Sequence, residues 1–173
     1  MPAAPASPPG PGASPGPLSR LPAALRDVPY AGSRHPGAAP LPGRDPYDLS
    51  AGANCQLYAY AVLRHFGRVV PPLRSAELWA DTAATVRAEP PGPLDLVLFD
   101  AGEVPGRPTG YGAHVGVHLG PGQVLHLCKE AGRPAVWSYA DFAERPRYAR
   151  FLGAKRVRVS GRGRYVREAG VSP

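Results

Sequence analysis

The sequence predicts an α+β fold in which helices come first and a mostly antiparallel sheet follows. Two runs predict the helices. "NCQLYAYAVLRHFG" opens on Asn54, a good N-cap, and ends at Gly67. Between them Ala59, Val62, Leu63 and Phe66 recur at helical spacing on one face with Cys55. After the break at Pro71-Pro72, "SAELWADTAATVRA" predicts a second helix with Ser75 as its cap. The third observation predicts the sheet. "DLVLFD" is a short apolar run bounded by turn residues, and "AHVGVHLG" and "QVLHLCKE" are joined by Pro121-Gly122 as a hairpin. "PAVWSYA" and "FLGAKRVRVS" add strands, with a helical turn at "DFAERPR" between them.

Domain organisation follows from composition. Residues 1–25 are dominated by Pro, Ala, Gly and Ser, with too little apolar surface to offset the entropy of ordering, so they predict a disordered arm. Within its end, "SRLPAALRDV" could form a short helical turn capped by Ser19. Residues 26–160 form one domain, large enough for a core without disulfides. Residues 161–173 are expected to be a basic, flexible tail, continuing a solvated last strand that starts near Lys155. Nearly all the positive charge is arginine, and the net charge of +7 favours an anionic partner in general terms. No aromatic interleaving accompanies the basic run, so nucleic acid is not an expected partner. No apolar stretch approaches the length of a transmembrane helix, and no signal-peptide pattern opens the chain. The expected location is therefore cytoplasmic, with secretion by another route left open. The two cysteines do not make a disulfide framework.

Side-chain alternation places the chemistry. His114, Gly116 and His118 share one face of the first hairpin strand, and Val124, His126 and Cys128 share one face of the second. Gly116 is expected to let a helix approach closely. Cys55, in the first turn of its helix, lies where unpaired N–H groups and the macrodipole favour a thiolate. An adjacent imidazolium lowers such a thiol further, to roughly 3–4 in papain-type pairs. Cys55, His114 and His126 thus supply the nucleophile, the base and the group that orients the base. The plainer reading makes Cys55 a small buried residue and the histidines packed strand residues. Zinc is not expected, because His114 and His118 are about 13 Å apart along a strand. No other cofactor is expected either. Cys128 could approach the site and form a disulfide with Cys55, or simply fill the core.

These segments resemble the NlpC family of cell-wall cysteine peptidases, which have a papain-like fold. Members carry an Asp-Cys-Ser-Gly helix start, a Pro-Arg-Thr-Ser-like segment, a Pro-Gly-Asp-Leu-Val-Phe-Phe strand and a His-Val-Gly-Ile-Tyr-Leu-Gly strand, then a third polar residue. The matching stretches here are "ANCQLYAYAVLRHFG", "PPLRSAELWAD", "GPLDLVLFD", "HVGVHLGPGQ" and "VLHLCKE", from about residue 28 to about residue 130. The resemblance implies Cys55 as nucleophile, His114 as general base and acid, His126 as the orienting residue, and Asp95 as a structural strand residue. It also implies a tyrosine lining the substrate cleft. Tyr30 in "DVPYAG" suits that place slightly better than Tyr47 in "DPYDLS". Asn54 and Gln56 stand where the family has an aspartate and a serine that hold substrate, so they are the candidate substrate-binding residues.

The function this implies is a cysteine peptidase or amidase that hydrolyses an amide bond, in a peptidoglycan-type or other D- or γ-linked peptide. Its partner is a peptide or murein-fragment substrate, and the oligomeric state stays open. Two alternatives stand beside it: an intracellular papain-like acyl-transfer enzyme acting on a non-murein amide or thioester, and a non-catalytic papain-like binding module.

Overall fold

The computed structural model describes residues 17–159; residues 1–16 and 160–173, with most of the expected arm and all of the expected tail, lie outside them. The arm was expected to reach residue 25. Instead a 3-10 turn over Pro17–Arg20 and a single turn of helix, α1 (Ala23–Arg26), precede the domain proper. Leu21 and Leu25 are buried with Val28, and those apolar contacts hold a stretch whose composition looks too poor to order. The residue capping α1 is Pro22, not Ser19.

The central helix α2 spans Cys55–His65. Asn54 caps it as expected, its side-chain oxygen accepting the Leu57 N–H at 2.9 Å. Every residue from Gln56 to Leu63 is buried, so the helix is enclosed rather than merely amphipathic. Phe66, expected on its apolar face, instead forms the C-cap and stands 47% exposed.

The next segment departs from expectation. Helix α3 is short (Ser75–Ala80), begins after Arg74 rather than Ser75, and stops at Asp81. The Asp81 carboxylate accepts the N–H groups of Ala83, Ala84 and Thr85 and the Thr85 hydroxyl. Such a side-chain knot competes with helix continuation, and the chain leaves as strand β1 (Thr85–Ala88).

The remaining strands are β2 (Leu96–Asp100), β3 (His114–Gly120), β4 (Gln123–His126), β5 (Ala135–Ser138) and β6 (Arg150–Val157), with α4 (Tyr139–Ala143) and a 3-10 turn (Pro146–Tyr148) between the last two. They form one six-stranded sheet in the order β1-β6-β2-β3-β4-β5, every neighbouring pair antiparallel. The α+β expectation therefore holds.

Alternation divides the core in two. Leu96, Leu98, Val115, Val117 and Leu125 face α2 and the N-terminal turns, while Val97, Phe99, Val124 and Cys128 face Phe142 and Tyr148 on the other side. Beneath the start of β2, Asp95 is fully buried and binds the Arg156 guanidinium at 2.9 and 2.8 Å and the Gly92 N–H at 2.6 Å. Asp95 thus ties β2 to β6. Lys155 was expected to lie in a solvated strand. It is buried instead, and its ammonium donates to the Trp79 and Asp81 carbonyls.

Candidate active site

Backbone pairing fixes the start of α2 before any side chain contributes. Ala53 N–H donates to the Pro29 carbonyl at 3.1 Å, Ala31 N–H to the Ala53 carbonyl at 2.8 Å, and Asn54 N–H to the Arg34 carbonyl at 2.7 Å. This parallel bridge between Tyr30 and Ala53 lays Tyr30 beside the helix start. Gly52 makes the approach possible: its φ is +84°, and a Cβ there would sit 2.6 Å from the Pro29 carbonyl oxygen. Cys55 is then the first helical residue and remains partly exposed. Since Asn54 takes the Leu57 N–H, the N–H groups of Cys55 and Gln56 are the ones left at the thiol.

His114 opens β3 and His126 closes β4. Their facing ring nitrogens, Nε2 of His114 and Nδ1 of His126, are 3.0 Å apart, with the rings edge to face. Both histidines are buried. Tyr148 and Phe142 pack against His114, and Trp137 and Phe142 against His126, with ring centroids 4.2 to 5.8 Å apart. Gly116 lies between them in sequence but does not admit a helix. Its bare Cα faces β4, where a Cβ would come 2.5 Å from Val124 Cγ1 and 3.4 Å from the His126 Cβ. The glycine lets the two histidine strands close. His118, on the same face, goes elsewhere and bonds the Tyr139 hydroxyl at 2.9 Å.

The hydrogen bond sets the tautomers. For His114 to keep Nδ1 as a base, its proton must sit on Nε2 and pass to an acceptor at His126 Nδ1. His126 then carries its proton on Nε2, which is buried without a partner among the described residues. Burial, reinforced by the Arg145 charge, holds His126 down to about 3, so it stays a neutral acceptor. His114 is likewise pushed well below the usual imidazole range, by burial first and then by His126 and Arg147. The thiol departs from the expected direction. Burial pushes Cys55 up, outweighing the N–H groups of Val115, Gln56 and Cys55 itself and the Arg74 charge, which favour the thiolate. Burial thus acts against the charged form of both groups, the thiolate of Cys55 and the imidazolium of His114.

Cys55, His114 and Tyr30 line one cleft of about 110 Å³, together with Cys128 and Tyr148. Lys129 and Arg147 complete its wall, and both are exposed. Tyr47 is elsewhere, its hydroxyl donating to the Val70 carbonyl at 2.8 Å. Asn54 and Gln56, expected to hold substrate, do not line the cleft. Asn54 caps the helix, and Gln56 is buried with its amide donating to the Leu73 carbonyl at 3.4 Å. A polar residue at a helix start has capping and buried carbonyls to satisfy first. Cys128 is buried, and its sulfur accepts the Ala131 N–H at 3.3 Å. Lys129, Arg147 and Tyr148 were not among the site residues read from the sequence. They reach the cleft from the loop after β4 and the turn before β6, which only the tertiary fold brings together. Among the described residues no group of three or more His, Cys, Asp or Glu side chains could hold a metal ion.

No family model and no curated protein matches the chain. Solved structures do. The chain is similar to the NlpC/p60 domain of the peptidoglycan hydrolase SagA, at 21% identity over 69% of this chain and 84% of that one, with a TM-score of 0.44. A lipoprotein-like NLP/P60 family protein from Staphylococcus aureus matches at 18% identity over 79% of this chain and 38% of that one, with a TM-score of 0.48. The peptidoglycan hydrolase RipB from Mycobacterium tuberculosis matches at 22% identity over 84% and 72%, with a TM-score of 0.46. The solved structures this chain is similar to thus include NlpC/p60 proteins, the group whose motifs its sequence resembles.

Proposed function

We propose that this chain is a cysteine hydrolase that cleaves an amide bond through an acyl-enzyme at Cys55. The observation that carries the reading is His114, which lines the same cleft as a cysteine at a helix start and is backed by His126 at 3.0 Å. Burial disfavours both the thiolate and the imidazolium, which supports attack of the general-base kind. His114 takes the thiol proton as sulfur bonds to the carbonyl carbon. The oxyanion faces the Cys55 and Gln56 N–H groups. The tetrahedral species then collapses, its C–N bond breaking as His114 returns the proton to the leaving amine. Water, deprotonated by His114, attacks the thioester, releasing the carboxylic acid and restoring the thiol. His126 holds the base in its tautomer throughout. Tyr30 borders the cleft as a substrate-lining side chain.

The substrate class rests on the sequence resemblance: a peptide with D- or γ-linkages of the murein kind. The test is release of soluble peptides from purified murein, with Cys55→Ala as the control. Release by the wild type and none by the variant is expected; equal release from both would remove the assignment. The raised thiol favours a second reading, a non-catalytic module that binds a peptide in the same cleft. That reading expects peptide binding unchanged in Cys55→Ala and no hydrolysis by either protein.

A further inference from the structure

The cleft's charges are of one sign. Lys129 and Arg147 line it, Arg74 acts on the thiol from the cap of α3, and no carboxylate is among the lining residues. All three basic side chains are exposed, and among the described residues none forms an ion pair with a carboxylate. Several other arginines are paired. Arg133 pairs with Asp27 at 2.6 Å, Arg145 with Glu130 at 2.9 Å, Arg150 with Asp100 at 2.7 Å and Arg156 with Asp95 at 2.8 Å. Glu130, next to Lys129 in sequence, is held by Arg145, whose guanidinium lies over the Trp137 ring. The residue before the nucleophile is the neutral Asn54, turned into its own helix.

We infer that the cleft selects amide substrates carrying a free carboxylate beside the scissile bond, seated by Arg147 and Lys129, and disfavours those with a free amine there. The inference rests on the proposed catalytic reading of Cys55 and adds its substrate class. A planar guanidinium with no partner suits a carboxylate, which it can hold through two parallel N–H bonds. An ammonium group in the same place would meet like charges without a compensating acid. Occupancy also changes the base. Arg147 is one of the charges holding His114 down. A carboxylate seated on Arg147 offsets that field, so His114 gains basicity when the acidic substrate is bound.

Two thiol reagents of similar size and opposite demand test this on the intact protein: iodoacetate, an anion, and iodoacetamide, its neutral amide. Alkylation rates at Cys55 are read at pH 8 by peptide mass spectrometry, which separates Cys55 from Cys128. The iodoacetate-to-iodoacetamide ratio at Cys55 is expected to exceed that of N-acetylcysteine by roughly fivefold to tenfold at low salt, and to shrink at 0.5 M salt. Arg147→Gln should bring the ratio most of the way back, and Arg147→Glu should invert it. Arg158→Gln, a charge change at the far end of β6, should leave the ratio intact, which separates a local field from the net charge. A wild-type ratio equal to that of N-acetylcysteine, with Cys55 still alkylated by iodoacetamide, overturns the anionic preference and leaves the hydrolase reading standing. No alkylation by either reagent removes both.

Discussion

Of two hollows among the described residues, the larger is the less equipped for chemistry. A groove of about 920 Å³ runs between the N-terminal turns, the loop around Tyr47 and one side of α2. Its charges are matched internally: Arg64 binds Asp45 at 2.6 Å and lies over the Tyr47 ring, Arg44 faces Asp48, and the Tyr47 hydroxyl is bonded to Val70. The small cleft beside Cys55 holds far less space. Yet it gathers a thiol, an imidazole backed by a second, buried one, and two cations that form no ion pair among the described residues. Volume alone does not mark a functional site. Groups left unsatisfied by their own fold do.

That contrast can be broken experimentally, and the largest expected effect comes first. Cys55→Ala should lower hydrolysis by roughly 10³-fold or more, because the covalent route itself is lost. The rate of peptide release checks it. Activity equal to wild type would transfer interest to the larger groove.

The second test is pH. His126 is held to about 3 in the folded chain against about 6.5 when unfolded. Between those values the unfolded chain binds the extra proton, so stability is full above about pH 6.5 and is lost as pH falls towards 3. From pH 7 to pH 4.5 the loss from His126 is about 2–3 kcal/mol, and the depressed His114 adds in the same direction. Urea unfolding at the two pH values measures it, and His126→Gln should flatten the slope. Activity should follow the same sign, its acid limb lying below the usual imidazole range.

The third test concerns the strand contact that brings the histidines together. Gly116→Ala pushes a methyl against Val124 and His126. It should cost about 1–3 kcal/mol and reduce turnover more than substrate binding. Full activity would mean that β4 moves freely. The smallest effect belongs to the large groove. Arg64→Ala removes a pair whose side chains are 45% and 49% exposed, so stability should change little. Peptide release should not change.

Most of the fold is legible where local chemistry punctuates it. Asn54 and Gly67 bracket α2, Pro121-Gly122 turns the hairpin, and strict alternation puts His114 and His126 on one face. The errors occur where a distant partner decides. "TVRA" continues a helical pattern in sequence, but pairing with β6 makes it a strand. Arg147 has no local signal, since only the return of the chain from β5 into β6 carries it to the cleft. The direction of the thiol shift was illegible for a related reason: helix position favours the thiolate, but burial, a tertiary quantity, dominates.

The burial of Lys155 has a practical corollary. The chain has two lysines, Lys129 and Lys155, and Lys155, within β6, is buried with its ammonium donating to two carbonyls. Among side-chain amines, an acylating reagent will therefore find Lys129, on the wall of the cleft. A single fluorophore or cross-linker can be placed there without engineering, and its signal would report directly on what enters.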